Sequence, residues 1–230
     1  MKTTSMKILQ LLVITAFIGI SHVSLAAITT VPDGLNPGDQ YRLVFVTAGL
    51  RDASSDTIND YNNFVTSQAN ASADLASLST AWKVLGSTAS VSAITNTGTD
   101  PAFAGVPIYN LSGQLVAAGN ADLWDGTLTN PINVDQNGDI WAQKVFTGTA
   151  DDGSPIAGYQ LGAIGDRVRY GDSSLTTSYW TNVNWDWAGD LTALHFYGIS
   201  GTLQVVPEPA TMLLLALGAL TLKKSKQKNH

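Results

Sequence analysis

The residues best equipped for chemistry in this chain fall in one short stretch. Trp180-Thr181-Asn182-Val183-Asn184-Trp185-Asp186-Trp187 sets three indoles beside two amides and a carboxylate. Flat apolar rings stack on sugar rings, and amides and carboxylates bond to hydroxyls. The composition therefore suits a saccharide platform built from Trp180, Trp185, Trp187, Asn184 and Asp186. Trp185 and Trp187 have the same parity, so a strand would present both on one face. The competing use of large indoles is core filling, which is expected of at least two of the three, with at least one left exposed in so loop-rich a stretch.

A second candidate is Asp135-Gln136-Asn137-Gly138-Asp139. Asp135, Asn137 and Asp139 place oxygens on alternate residues around a glycine, as a calcium loop requires, but no acid follows at the distal position that would complete it. The same residues make a hairpin turn whose side chains bond their own backbone, and that is the expected reading, with no cofactor. Asp151 with Asp152, or Asp122 with Asp125, could in principle divide acid and base roles across a glycosidic bond. So many Asp in turns make such pairs common by chance, and solvated turns are expected instead. His195 lies in an apolar run, and no serine nucleophile elbow exists for it to serve, so it reads as a buried structural histidine. No catalytic residue is assigned, and the chain is not read as an enzyme.

Composition narrows the choice further. Between residues 27 and 206 six cations (Arg42, Arg51, Lys83, Lys144, Arg167 and Arg169) face seventeen Asp, a net charge of −11. A phosphate-binding surface for nucleic acid is not expected on such a body. The chain has no cysteine, which excludes disulfides, thiolate metal sites and Cys nucleophiles.

The remaining lysines sit at the two ends. Lys2 and Lys7 precede an apolar run from Ile8 to Ile20, and Ser24-Leu25-Ala26 supplies small residues at signal-peptidase spacing, so residues 1–26 read as a secretory signal peptide. At the other end Pro207-Glu208-Pro209 precedes the apolar stretch Ala210 to Leu222 and the basic cluster Lys223-Lys224-Ser225-Lys226-Gln227-Lys228. Thirteen residues are short for a stable span, and the lysines would hold the tail on the cytoplasmic side, so insertion would be transient. This order resembles the PEP-CTERM sorting signal. The resemblance implies a Gram-negative bacterium whose exosortase cuts near Pro207, Glu208 and Pro209, a destination at the cell surface or in the extracellular matrix, and company with exopolysaccharide and biofilm systems.

The elements that must hold the tryptophans follow from periodicity and punctuation. Tyr41 to Thr47 is rich in β-branched and aromatic residues and reads as a first strand. Ile58, Tyr61, Phe64 and Val65 recur at helical spacing after a cap at Ser54 or Ser55, and Ala73 to Leu78 adds a helical turn. Trp82 to Leu85 reads as a short strand. Pro107 to Asn110 and Gln114 to Val116 flank Ser112-Gly113 as a hairpin, further Gly turns fall at Asp125-Gly126, Asn137-Gly138, Asp152-Gly153 and Gly171-Asp172, and Leu194 to Ile199 forms a last strand. Strand, helices, then short strands with long loops is an α+β order with an antiparallel sheet.

Over residues 81–200 the succession Ala81-Trp82-Lys83-Val84-Leu85, Val106 to Leu111, Leu123-Trp124-Asp125-Gly126, Val145 to Thr149 with Asp152-Gly153, and His195-Phe196-Tyr197-Gly198-Ile199 resembles endostatin. The resemblance implies a C-type-lectin-like fold for residues 27–206, between the signal peptide and a sorting signal at 207–230. Endostatin's disulfides, heparin-binding arginine surface and zinc histidines have no counterpart here. The lectin Trp-Asn-Asp order and Glu-Pro-Asn loop are also missing, so none of those activities carries over. The expected function is that of an exported, exosortase-processed binding or structural module, with a glycan-cleaving enzyme using an Asp pair as the alternative.

Overall fold

A computed structural model describes residues 27–207 apart from 164, 166, 184 and 185. Residues 1–26, the expected signal peptide, and the tail from Glu208 onward lie outside the described residues.

The organising element is β1 (Gln40–Val46). Its alternation sends Tyr41, Leu43 and Phe45 to one face and Val44 and Val46 to the other, and all five are buried. It needs cover on both sides. Helix α1 (Ile58–Asn70) lays Tyr61, Val65 and Ala69 on the first face, beside Trp82 and Val84 of β2 (Trp82–Val84). On that face Phe45 meets Trp82 edge-on with ring centroids 5.2 Å apart, and Phe196 meets both Tyr61 and Phe64. The second face is filled by Ile108 of β3 (Ile108–Asn110), Val116 of β4 (Leu115–Ala117) and Tyr197 and Ile199 of β7 (Tyr197–Ser200), with Trp124 and Trp180 above them. Each large side chain withdrawn from water in this way contributes roughly 1.5–3 kcal/mol.

The sheet runs β2-β7-β1-β3-β4, and β8 (Leu203–Gln204) pairs with the start of β1. The class is α+β, as read from the sequence, but the sheet is mixed. β3 lies parallel to β1, with Arg42 opposite Ile108, whereas β7 is antiparallel to β1 and to β2. The long connection through α1, α2 (Ala73–Ser77), β2 and α3 (Ala93–Thr97) carries the chain back to the starting end of β1, which a hairpin could not do. The expected hairpin is the β3–β4 pair, and Asn110 Oδ1 shapes its turn by accepting from the N–H groups of Ser112 and Gln114.

Two local readings are corrected. The cap of α1 is Thr57, because Ser54 Oγ is committed to Asp52 and Ser55 Oγ donates to Asp60 while accepting from Thr57 N–H. Gly171-Asp172 is no turn: it lies in β6 (Tyr170–Asp172), paired with β5 (Lys144–Phe146) in a separate two-stranded sheet. Two further short helices, α3 and α4 (Asn120–Leu123), lie outside the elements expected from the sequence.

Gly171 is required by contact. A Cβ there would lie 1.9 Å from the carbonyl oxygen of Trp180, on the 3-10 turn Ser178–Trp180 that settles onto β6. Replacing Gly171 with Ala must push that backbone away, and we expect a loss of at least about 2 kcal/mol in urea unfolding, with Trp180 fluorescence shifted toward the exposed value.

Candidate functional site

The seat of the 3-10 turn on Gly171 decides the fate of the first tryptophan. Trp180 is fully buried, packed at a tilt with ring centroids 5.6 Å from Trp124 and 5.9 Å from Tyr197, whose hydroxyl donates to the Trp180 carbonyl. It belongs to the core of the second face, so the expectation that it forms part of a ligand platform is corrected. Trp185 and Asn184 lie outside the described residues. Asp186 and Trp187 are exposed, and Trp187 retains 43% of its surface.

Around these two residues the two-stranded sheet and two loops assemble a patch that no sequence window displays. The Arg167 guanidinium lies 4.8 Å from the Trp187 ring centre. Lys144, from β5, places its ammonium 4.4 Å above the ring of Tyr170, diagonally across in β6, and 3.9 Å from an Asp186 oxygen. The Tyr170 hydroxyl donates to the same carboxylate. Arg169 stacks at 4.5 Å on Tyr159 and donates from Nη1 to the Asp186 carbonyl at 2.7 Å, pinning the backbone that carries Trp187. The bridge between Val168 and Ala188 closes the arrangement from beneath.

Charge follows this geometry. The Tyr170 hydroxyl, and then the backbone N–H of Trp187, hold the Asp186 carboxyl below the usual range. Tyr170 is pushed up, first by burial and then by its bond to Asp186. Lys144 is raised by its partnership with the Tyr170 hydroxyl. At neutral pH the patch thus carries an ionised carboxylate among three cations. Sequence reasoning found Asp186 and Trp187 but not Lys144, Arg167, Arg169, Tyr159 or Tyr170. The alternation Arg167-Val168-Arg169, two cations flanking a buried valine, was the one available signal.

The Asp135 loop is turn chemistry. Asp135 is fully buried, and its carboxylate accepts from the N–H groups of Asn137 and Asp139, from Asn137 Nδ2 and from Trp141 Nε1. Those four donors use the lone pairs that a cation would need. Among the described residues no group of three His, Cys, Asp or Glu side chains could hold a metal ion. The other acids behave alike. Asp52, Asp100, Asp125, Asp152 and Asp172 each accept from the backbone N–H two residues ahead. Asp122 accepts from Ala118 N–H at 2.6 Å, and Asp151 is exposed. His195 is buried, its Nδ1–H donating to the Thr47 carbonyl at 2.6 Å.

The sorting signal starts where the body ends. Val205 is held by the bonds Gly38 N–H to Val205 O and Val205 N–H to Asp39 O, both 2.9 Å, and packs into the core. Val206 is 76% exposed and Pro207 is exposed, while Glu208 and Pro209 lie outside the described residues. Ala210 therefore follows the last anchored residue by five positions, a reach of at most ~17 Å. Cavities of about 380 Å³ lie beside β8, between Tyr41, Leu78, Leu203 and Val206, and at Ala27 and Ile28 against Ser72, Gln136 and Asn137. Neither includes Trp187.

Residues 205–225 match the PEP-CTERM protein-sorting motif. The motif marks the chain as exosortase-targeted and exported to the cell envelope or surface. No curated protein matches the chain.

Two outcomes test these assignments. Saturating calcium should leave the melting temperature within error, because a ligand that binds only the native state would raise it, whereas Asp135→Ala should cost about 3 kcal/mol by stranding several buried donors. Trp180→Ala should cost ~3–5 kcal/mol, and Trp187→Ala no more than about 1 kcal/mol, in the same denaturation assay.

Proposed function

We propose that this protein is a binding or structural module of the surface or extracellular matrix of a Gram-negative bacterium, cut from its tail by exosortase and associated with exopolysaccharide or biofilm. The observation that carries the reading is the sorting motif, which begins directly at the last anchored residue of the body. Signal peptidase would remove residues 1–26 and exosortase the tail after about Glu208, so the body between them would persist. A C-type-lectin-like identity for that body is proposed from the resemblance over residues 81–200, and an order that opens with one strand and two helices and continues in short strands and short helices joined by long loops is in keeping with it.

Binding is favoured over catalysis by what the carboxylates do. Asp125 and Asp152 bond to Thr127 and Ser154 beside them, and Asp122 bonds to a backbone N–H, which suits turns better than a poised acid and base. The surface proposed to meet saccharide is Trp187 with Asp186, an exposed indole beside a hydroxyl acceptor; Trp185 and Asn184 are its neighbours in sequence.

Mass spectrometry of the protein from an exosortase-positive cell should find a chain ending near Glu208, and a mature form still ending at His230 would sink the processing claim. A glycan array probed with the full chain should show saccharide binding that Trp187→Ala weakens at least tenfold, about 1.4 kcal/mol. Release of new sugar ends from the host's exopolysaccharide would instead support the cleaving enzyme.

A further inference from the structure

The body is strongly acidic, yet its cations are not evenly spread. Arg42 is spent inside, donating to the Thr97 carbonyl at 2.7 Å, and Arg51 lies over Tyr61 beside Asp60. Of the six, Lys144, Arg167 and Arg169 converge on the Asp186–Trp187 segment from residues up to 43 positions apart in the chain. Within the trio the roles differ. Arg169 is half-buried and occupied with the Asp186 carbonyl and Tyr159, so it is a positioning residue. Lys144 has 58% of its side chain exposed, and Arg167 is exposed with its guanidinium over the Trp187 indole. A guanidinium held over an aromatic ring keeps its N–H groups free at the edges, ready for an incoming carboxylate.

We infer that this patch is a site for an acidic polysaccharide, a chain of carboxylated sugar rings in which a ring lies on the exposed part of Trp187 while Arg167 and Lys144 pair with carboxylates along the chain. The inference rests on the saccharide reading above and adds the charge class of the ligand. Arg167 forks to a carboxylate through two parallel N–H bonds, and Lys144, already turned toward one oxyanion by Asp186, is a second point of charge. Asp186 serves as acceptor for a ring hydroxyl and keeps Lys144 and Tyr170 in register. Elsewhere the surplus of Asp repels a polyanion, so the chain would be confined to this edge of the molecule. An isolated phosphate would use the cations and leave the indole idle, whereas a carboxylated sugar chain uses both.

The test titrates the full chain, in mild detergent, with polygalacturonate and with the same polymer fully methyl-esterified, which keeps the rings and removes the charge. The free acid should bind at least about tenfold more tightly than the ester. Arg167→Gln and Lys144→Gln should each remove most of that preference at an unchanged melting temperature, and high salt should abolish it. Equal binding of acid and ester would overturn the charge assignment while leaving the saccharide reading intact. An absence of binding to either polymer overturns the inference, and to any glycan on the array, the saccharide reading as well. A single-stranded oligonucleotide that competes as well as the polyuronate would show indiscriminate polyanion capture and overturn the proposal too.

Discussion

The double-sided burial of β1 is the constraint from which the rest of the structure follows. A strand with Tyr41, Leu43 and Phe45 on one face and Val44 and Val46 on the other cannot lie at a surface, so it needs partners on both edges and cover above and below. One face takes the stripe of α1; the other takes Trp124, Trp180 and Tyr197. The edges take β3, β7 and β8, and the β8 pairing ends at the residue where the sorting signal begins. Core and address are thus joined through a single strand. The tail leaves the body next to the strand that holds it together.

The acidic composition has a local explanation. Six of the Asp side chains accept from the N–H two residues ahead, often with a Ser or Thr hydroxyl adding a second bond. Long loops leave many backbone N–H groups without a strand partner, and a carboxylate one turn away satisfies them. Part of the negative charge therefore follows from building a loop-rich fold. It also raises the contrast of the one edge where Lys144, Arg167 and Arg169 gather.

A glycine governs the neighbouring packing. Gly171 lets the 3-10 turn at Trp180 press onto β6, which sinks Trp180 into the core. With a side chain at position 171 the turn would ride higher and the indole would lose its seat. Asp186 and Trp187 are held separately, by Arg169, by Tyr170 and by the bridge of Val168 to Ala188.

Periodicity and motif order in the sequence were enough to determine the first strand, the stripe of α1, the β3–β4 hairpin and the α+β class, because each rests on neighbours within a few residues. The sorting tail was legible for the same reason: its three parts are contiguous, and residues 205–225 match the motif. The Asp135 turn was also readable, since Asn137 and Asp139 are bonded within the loop itself. The tertiary structure alone decided the parallel pairing of β3 with β1 and the burial of Trp180. It alone brought Lys144 beside Asp186 and Arg167 onto Trp187. Those outcomes depend on contacts between residues tens of positions apart, where local propensity is silent and the need to cover β1 on both faces chooses which groups meet.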